Sequence, residues 1–140
     1  MARKYQTQMK RMSRKRYLGN FKSKLIDAVK NEQSFELTDI FEDVNHNNIK
    51  KVVENNIKYI LRREKLVPTS WDVVIPEGGY NYQLGEVRFS GNFEIFSDHN
   101  TIEAYGSVVA TGQLNEIVFV TINITNVIGS DANQEKLRFF

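Results

Sequence analysis

The stretch NIKKVVENNIKYILRREK (Asn48–Lys65) decides how the first half of this chain folds. Ile49, Val52, Val53, Asn56, Ile57, Ile60 and Leu61 fall on one side of a helix with 3.6 residues per turn. Lys51, Asn55, Lys58, Arg62 and Lys65 follow one another at helical spacing and form a stripe on the opposite side. The pattern predicts a helix running to about Lys65, with one face in a core and the other basic. Pro68 closes it, because proline lacks the N–H donor and biases the preceding residue away from helix.

Upstream, Gly19-Asn20 opens another helix. Asn20 is its expected N-cap, Phe21, Leu25 and Val29 form its inner face, and Ile26 lies beside them. Asn31, Glu32 and Gln33 end it, and Ser34–Leu37 reads as extended. Thr38 caps an expected short helix holding Ile40, Phe41 and Val44, and Asn45–Asn48 is a polar turn. Ahead of these, Met1–Tyr17 is a basic run with Tyr5, Met9 and Met12 on a thin apolar seam.

After Pro68 the texture changes to short β-branched and aromatic runs. Strands are expected at Trp71–Ile75, Tyr80–Leu84, Glu86–Phe89, Phe93–Phe96, Thr101–Tyr105, Ser107–Ala110 and Glu116–Val127, with Leu137–Phe140 a further candidate. Glu77-Gly78-Gly79, Ser90-Gly91-Asn92, Ser97–Asn100 and Thr111-Gly112-Gln113 read as turns. Val118, Val120, Ile122 and Ile124 alternate with Thr121, Asn123 and Thr125, which describes a sheet with one buried face. The expected fold class is therefore α+β, a basic helical N-terminal half with a C-terminal antiparallel β-sheet. Its parts are a basic arm (1–19), a helical region (20–67) and an antiparallel β region (68–140).

A net charge of +2 hides a strong segregation. Residues 1–30 carry ten Lys or Arg against Asp27, residues 31–49 carry five acids and no base, and residues 66–140 carry nine acids and three bases. A basic pole on an acidic body is the footprint of a protein that meets a polyanion at one end. The pole comprises Arg3, Lys4, Lys10, Arg11, Arg14, Lys15, Arg16, Lys22 and Lys24, interleaved with Tyr5, Tyr17 and Phe21. Lys and Arg gain by releasing counterions from phosphates, and aromatic rings stack on unpaired bases. In the long helix Lys50, Lys51, Asn55, Lys58 and Arg62 extend the same chemistry. The plainer interpretation is a solubilising tail and an ordinary solvated helix face.

Several classes are excluded or unsupported. With no cysteine there is no disulfide framework, thiolate zinc site, Cys nucleophile or iron–sulfur cluster. His46 and His99 are the only histidines and stand far apart in sequence, so no metal ligand set is expected. The glycine turns lack the Lys-Ser/Thr that follows a phosphate loop, and no residue pattern proposes acid–base or nucleophilic chemistry. No segment reaches the roughly 18 apolar residues of a membrane-spanning helix. A soluble intracellular protein is expected, with neither cofactor nor membrane partner and no enzymatic activity.

The order helix (Phe21–Lys30), extended segment (Ser34–Leu37), short helix (Asp39–Val44), turn, long helix (Asn48–Lys65) and strand resembles a winged helix-turn-helix domain over roughly residues 20–89. In that family the third helix enters the DNA major groove and a β-hairpin, the wing, touches the backbone. The resemblance implies a recognition helix carrying His46, Asn47, Asn48, Lys50, Lys51, Asn55 and Lys58, with Trp71–Tyr82 as the wing. That wing departs from the pattern, since it holds Asp72 and Glu77 and no Lys or Arg.

The leading expectation is a small non-enzymatic nucleic-acid-binding protein whose polymer is DNA more than RNA. The second is a structural or assembly protein, such as a phage virion or nucleoprotein component. Its basic arm would dock on neighbouring subunits, as in a homo-oligomer, or on packaged nucleic acid. The 14 Asn, 11 Lys and 12 Ile suit an AT-rich coding genome and leave a phage or mobile-element origin open.

Overall fold

The structure, a computed structural model, describes residues 20–40, 43–113 and 115–129. Two helices pack on one face of a five-stranded antiparallel sheet. Helix α1 covers residues 20–30, strand β1 Ser34–Leu37 and helix α2 Ile49–Arg63. Strands β2 (Asp72–Gln83), β3 (Glu86–Ser97), β4 (Thr101–Gln113) and β5 (Glu116–Val127) then form a meander. The sheet order is β1-β5-β4-β3-β2, so β1, from the helical region, closes the sheet beside the last strand. Residues 1–19 and the candidate strand at Leu137–Phe140 lie outside the described residues.

Both helices bury the faces that their spacing predicts. Phe21, Leu25, Ala28 and Val29 of α1 are buried, as are Ile49, Val52, Val53, Asn56, Ile57, Ile60 and Leu61 of α2. They meet Val73, Ile75, Phe89, Phe93, Ile95, Val108, Val120 and Ile122 from the inner face of the sheet in one core. Phe21 and Trp71 close one end, their ring centroids 6.5 Å apart. Asn56, the one polar side chain among the buried described residues, donates from Nδ2 to the Val52 carbonyl at 2.8 Å and so remains satisfied within its own helix.

The helices end alike. The Gln33 N–H bonds the Ala28 carbonyl and the Glu32 N–H that of Val29. Likewise, the Leu66 N–H bonds the Leu61 carbonyl and the Lys65 N–H that of Arg62. These are Schellman caps, and each puts a residue other than glycine, Glu32 (φ 51°) or Lys65 (φ 57°), in the left-handed region.

The sheet corrects several expectations. Gly78, Gly91 and Gly112 are not turns but lie within or near the ends of long strands, Gly106 joins the two strands expected on either side of it into one, and the expected hairpin at Trp71–Tyr82 is one continuous strand. The reason is space. A Cβ on Gly78 would come within 2.6 Å of the Phe89 ring, and one on Gly106 would overlap the Phe93 ring, so these glycines let core aromatics lie against the neighbouring strand. The register shift between Thr111 and Gly112 pairs Thr111 with Phe119 and Gly112 with Ile117. This leaves Val118 as the extra residue of a bulge, 42% exposed rather than in the core. Residues 39–40 and 43–45 are irregular where a short helix was expected. Tertiary partners take the backbone groups there: the Val44 N–H bonds the Asn115 carbonyl, and Asn48 Nδ2 bonds the Asp43 carbonyl.

Helix α2 is tied to both edge strands. On β2, Lys58 Nζ lies 2.6 Å from Asp72, and the Ile75 N–H donates to Glu54 Oε1 at 3.2 Å, beside the register shift that contains Pro76. On β1, Arg63 Nη2 donates to the Glu36 carbonyl at 2.6 Å. The edge strands of five are about 19 Å apart along a flat sheet, and α2 bridges them through Arg63 on one side and Glu54 and Lys58 on the other.

Candidate nucleic-acid interface

The turn before α2 is a web of asparagines. Asn45 Oδ1 accepts from the Asn47 N–H at 2.9 Å, and Asn48 Oδ1 accepts from the Asn45 N–H at 2.7 Å. Asn48 is the N-cap residue of α2, yet its side chain faces back into the turn and makes no capping bond to the helix. The first turn of α2 contains no acid, and it carries Lys50 and Lys51. A cation at the positive end of a helix macrodipole is destabilising, by about 0.3–1 kcal/mol when exposed. Both lysines are exposed, so this end of the helix concentrates positive potential where an anion would be stabilised.

An aromatic group adjoins it. His46 Nδ1 is 2.8 Å from the Tyr80 hydroxyl, and the His46 ring centroid lies 5.6 Å from that of Tyr80 and 4.9 Å from that of Tyr82. Tyr80 and Tyr82 meet edge to face at 5.5 Å. Tyr80 is 38% exposed, and the Tyr82 hydroxyl is buried without a hydrogen-bond partner among the described residues. The two tyrosines share the inner face because β2 does not turn at Gly78-Gly79, and their spacing of two residues was the sequence signal for it.

The basic stripe of α2 is divided. Lys58 is paired with Asp72, whose carboxyl is held below its ordinary pKa chiefly by that hydrogen bond. Arg62 Nη2 donates to the Thr69 carbonyl at 3.0 Å, and Asn55 is half-buried and engaged. Lys58 thus holds the start of β2 against the helix and Arg62 the loop before it, bonds no periodicity in α2 could reveal. Lys24, Lys50, Lys51 and Lys65 have no ion-pair partner among the described residues. Lys24 and Lys65 meet at a cleft of about 560 Å³, lined among the described residues by Asn20, Phe21, Ser23 and these two lysines. Lys22 lies 3.8 Å from Glu103. Lysines without an ion pair thus stand at both ends of α2, about 21 Å apart at 1.5 Å per residue. Arg3, Lys4, Lys10, Arg11, Arg14, Lys15 and Arg16 lie outside the described residues; in sequence they precede the α1 end that borders the cleft.

Among the described residues no three His, Asp or Glu side chains gather as metal ligands, and no helix is long and apolar enough to cross a membrane. The chain matches no protein-family model and no curated protein.

Proposed function

We propose that this chain is a non-enzymatic nucleic-acid-binding protein that holds phosphates at the N-terminal end of α2 and along its basic arm. One observation carries the proposal: Lys50 and Lys51 occupy the first turn of α2, with no acid in that turn, beside the His46–Tyr80–Tyr82 group. That arrangement costs helix stability in the free protein and is repaid only when an anion sits there. Exposed Tyr80 offers a ring on which a base can stack. The arm, followed by Lys24 and Lys65 at the cleft, supplies the sequence-independent phosphate contacts, and DNA is the proposed polymer ahead of RNA.

The test is fluorescence anisotropy with duplex DNA, single-stranded DNA and RNA at low and moderate salt. The full chain is compared with a variant in which Arg11, Arg14, Lys15 and Arg16 are changed to Gln. Salt-sensitive binding that weakens in the variant supports the proposal. Absence of binding to all three polymers at low salt removes it.

A structural or assembly role is the second reading. It is favoured by the outer face of the sheet, which carries cross-strand pairs such as Val109–Thr121 and Thr111–Phe119 and no charge on those positions.

A further inference from the structure

Two hairpin turns at one end of the sheet share a sequence: Gln83-Leu84-Gly85-Glu86 joins β2 to β3, and Gln113-Leu114-Asn115-Glu116 joins β4 to β5. The register sets Gln83 opposite Glu86, Glu86 opposite Gln113 and Gln113 opposite Glu116, so two carboxylates and two amides form one row across four strands. Both carboxylates are exposed and have no ion-pair or hydrogen-bond partner among the described residues. Beside the row lies a cleft of about 550 Å³. Leu84 and Val118 are its apolar walls, and Glu86, Gln113 and Thr111 its polar rim. Leu84 is fully exposed and holds φ 54°, a left-handed conformation that asparagine or glycine adopts with less strain in a two-residue turn. Val118 is the bulge residue turned out of the core. Apolar walls under a carboxylate rim suit a side chain with an aliphatic stem and a cationic head, a lysine or an arginine.

We infer that this cleft holds the basic arm of a second copy of the chain. A Lys or Arg stem from residues 10–16 of that copy lies between Leu84 and Val118, and its head meets Glu86. Glu116, two strands over and about 10 Å away, meets a second base. The inference rests on the assembly reading and not on polyanion binding. Two observations select this occupant. The first is charge. Residues 1–19 carry seven Lys or Arg and no acid. On the sheet, the next row inward, Asn81–Arg88–Thr111–Phe119, adds one cation, Arg88, and leaves this end with two acids to one base. The second is the length of the chain. The arm joins α1 at the far end of β2, where Phe21 packs against Trp71, and Trp71 stands 13 residues from Leu84, roughly 40 Å along a strand. Arg14, Lys15 and Arg16 precede Asn20 by four to six residues, at most about 20 Å of extended chain, so even with their side chains they fall short of their own cleft. The same residues of a second copy meet no such limit, and the contact is head to tail.

Sedimentation velocity of the full chain, across a concentration series at low salt and without nucleic acid, tests the inference. The wild type is expected to associate as its concentration rises, and less so as salt is added. Glu86→Gln with Glu116→Gln is expected to weaken association at least tenfold. Leu84→Ser is expected to weaken it severalfold, which attraction between the arm and the acidic body at large would not produce. The decisive step is complementation. A chain with Gln at Glu86 and Glu116 keeps the arm, and a chain with Gln at Arg11, Arg14, Lys15 and Arg16 keeps the cleft. Each should stay monomeric alone, and the two should associate when mixed. Circular dichroism confirms that each variant is folded. A wild type monomeric at every concentration overturns the inference together with the assembly reading. Association that the Gln changes at Glu86 and Glu116 leave unaltered overturns the inference alone, with assembly through another surface left standing. Failure of the two complementary chains to associate on mixing overturns the arm as the occupant.

Discussion

Lys58 Nζ, near the middle of α2, lies 2.6 Å from the Asp72 carboxylate at the first residue of β2. Together with Glu54 on the Ile75 N–H and His46 on Tyr80, it aligns β2 antiparallel to α2 along most of the helix. The pair takes Lys58 out of the basic stripe, and its consequences can be measured.

Asp72 has its pKa lowered from 3.8, first by the hydrogen bond with Lys58 and against an opposing effect of burial. The unfolded chain therefore binds more protons in acid than the native one. The pair's stabilisation is complete above pH 3.8 and is lost as the pH falls through the lower native value. The Asp72 side chain is 62% exposed, so solvent screens the pair. Asp72→Asn is expected to cost no more than about 0.5 kcal/mol in urea unfolding at neutral pH. Because it also releases Lys58, it should tighten binding to duplex DNA severalfold.

Lys50→Glu with Lys51→Glu should move stability and function in opposite directions. Acids in the first turn complement the macrodipole, so thermal unfolding should report a gain of about 1 kcal/mol. Binding to DNA should weaken roughly tenfold or more, as two phosphate contacts are lost. A merely solvated helix face predicts the gain in stability without the loss in affinity.

At the other end of α2, Lys65 holds the left-handed position of the C-terminal cap with φ 57°. Lys65→Gly relieves that conformation and should add about 0.5–1 kcal/mol in chemical denaturation. It also removes one of the two cations at the Lys24–Lys65 cleft, so DNA affinity should fall modestly.

Gly106→Ala tests why the central strand carries a glycine. The added methyl would overlap the Phe93 ring and crowd the Asn123 carbonyl, both fixed in the packed sheet. A loss of more than about 2 kcal/mol is expected in the unfolding midpoint. Gly79, with open space around its Cβ position, is the control, and Gly79→Ala should cost far less.

What could be read from the chain follows from the range of the forces involved. Helix α2 was legible because seven inward positions recur at helical spacing, and β5 because β-branched residues run from Glu116 to Val127. Local chemistry misled where glycine makes room for a distant ring, as Gly78 does for Phe89, since a Gly-Gly pair in isolation describes a turn. Val118 was displaced from the core by a bulge fixed in pairing with β4. The candidate site was legible in its charges and not in its geometry. Lys50 and Lys51 stand out in sequence, but the partners that occupy Lys58 and Arg62, Asp72 and Thr69, come from beyond the end of the helix. The nearness of Tyr80 and Tyr82 to His46, 34 or more residues earlier, required the fold.

The most direct test of the central claim is the salt dependence of duplex DNA binding by the wild type and by the Lys50→Glu, Lys51→Glu variant, measured by anisotropy over a range of salt concentrations. If the N-terminal end of α2 holds phosphates, the slope of log K against log salt is shallower in the variant by about 2, with its fold intact. Equal slopes and equal affinities for the two proteins would contradict the account.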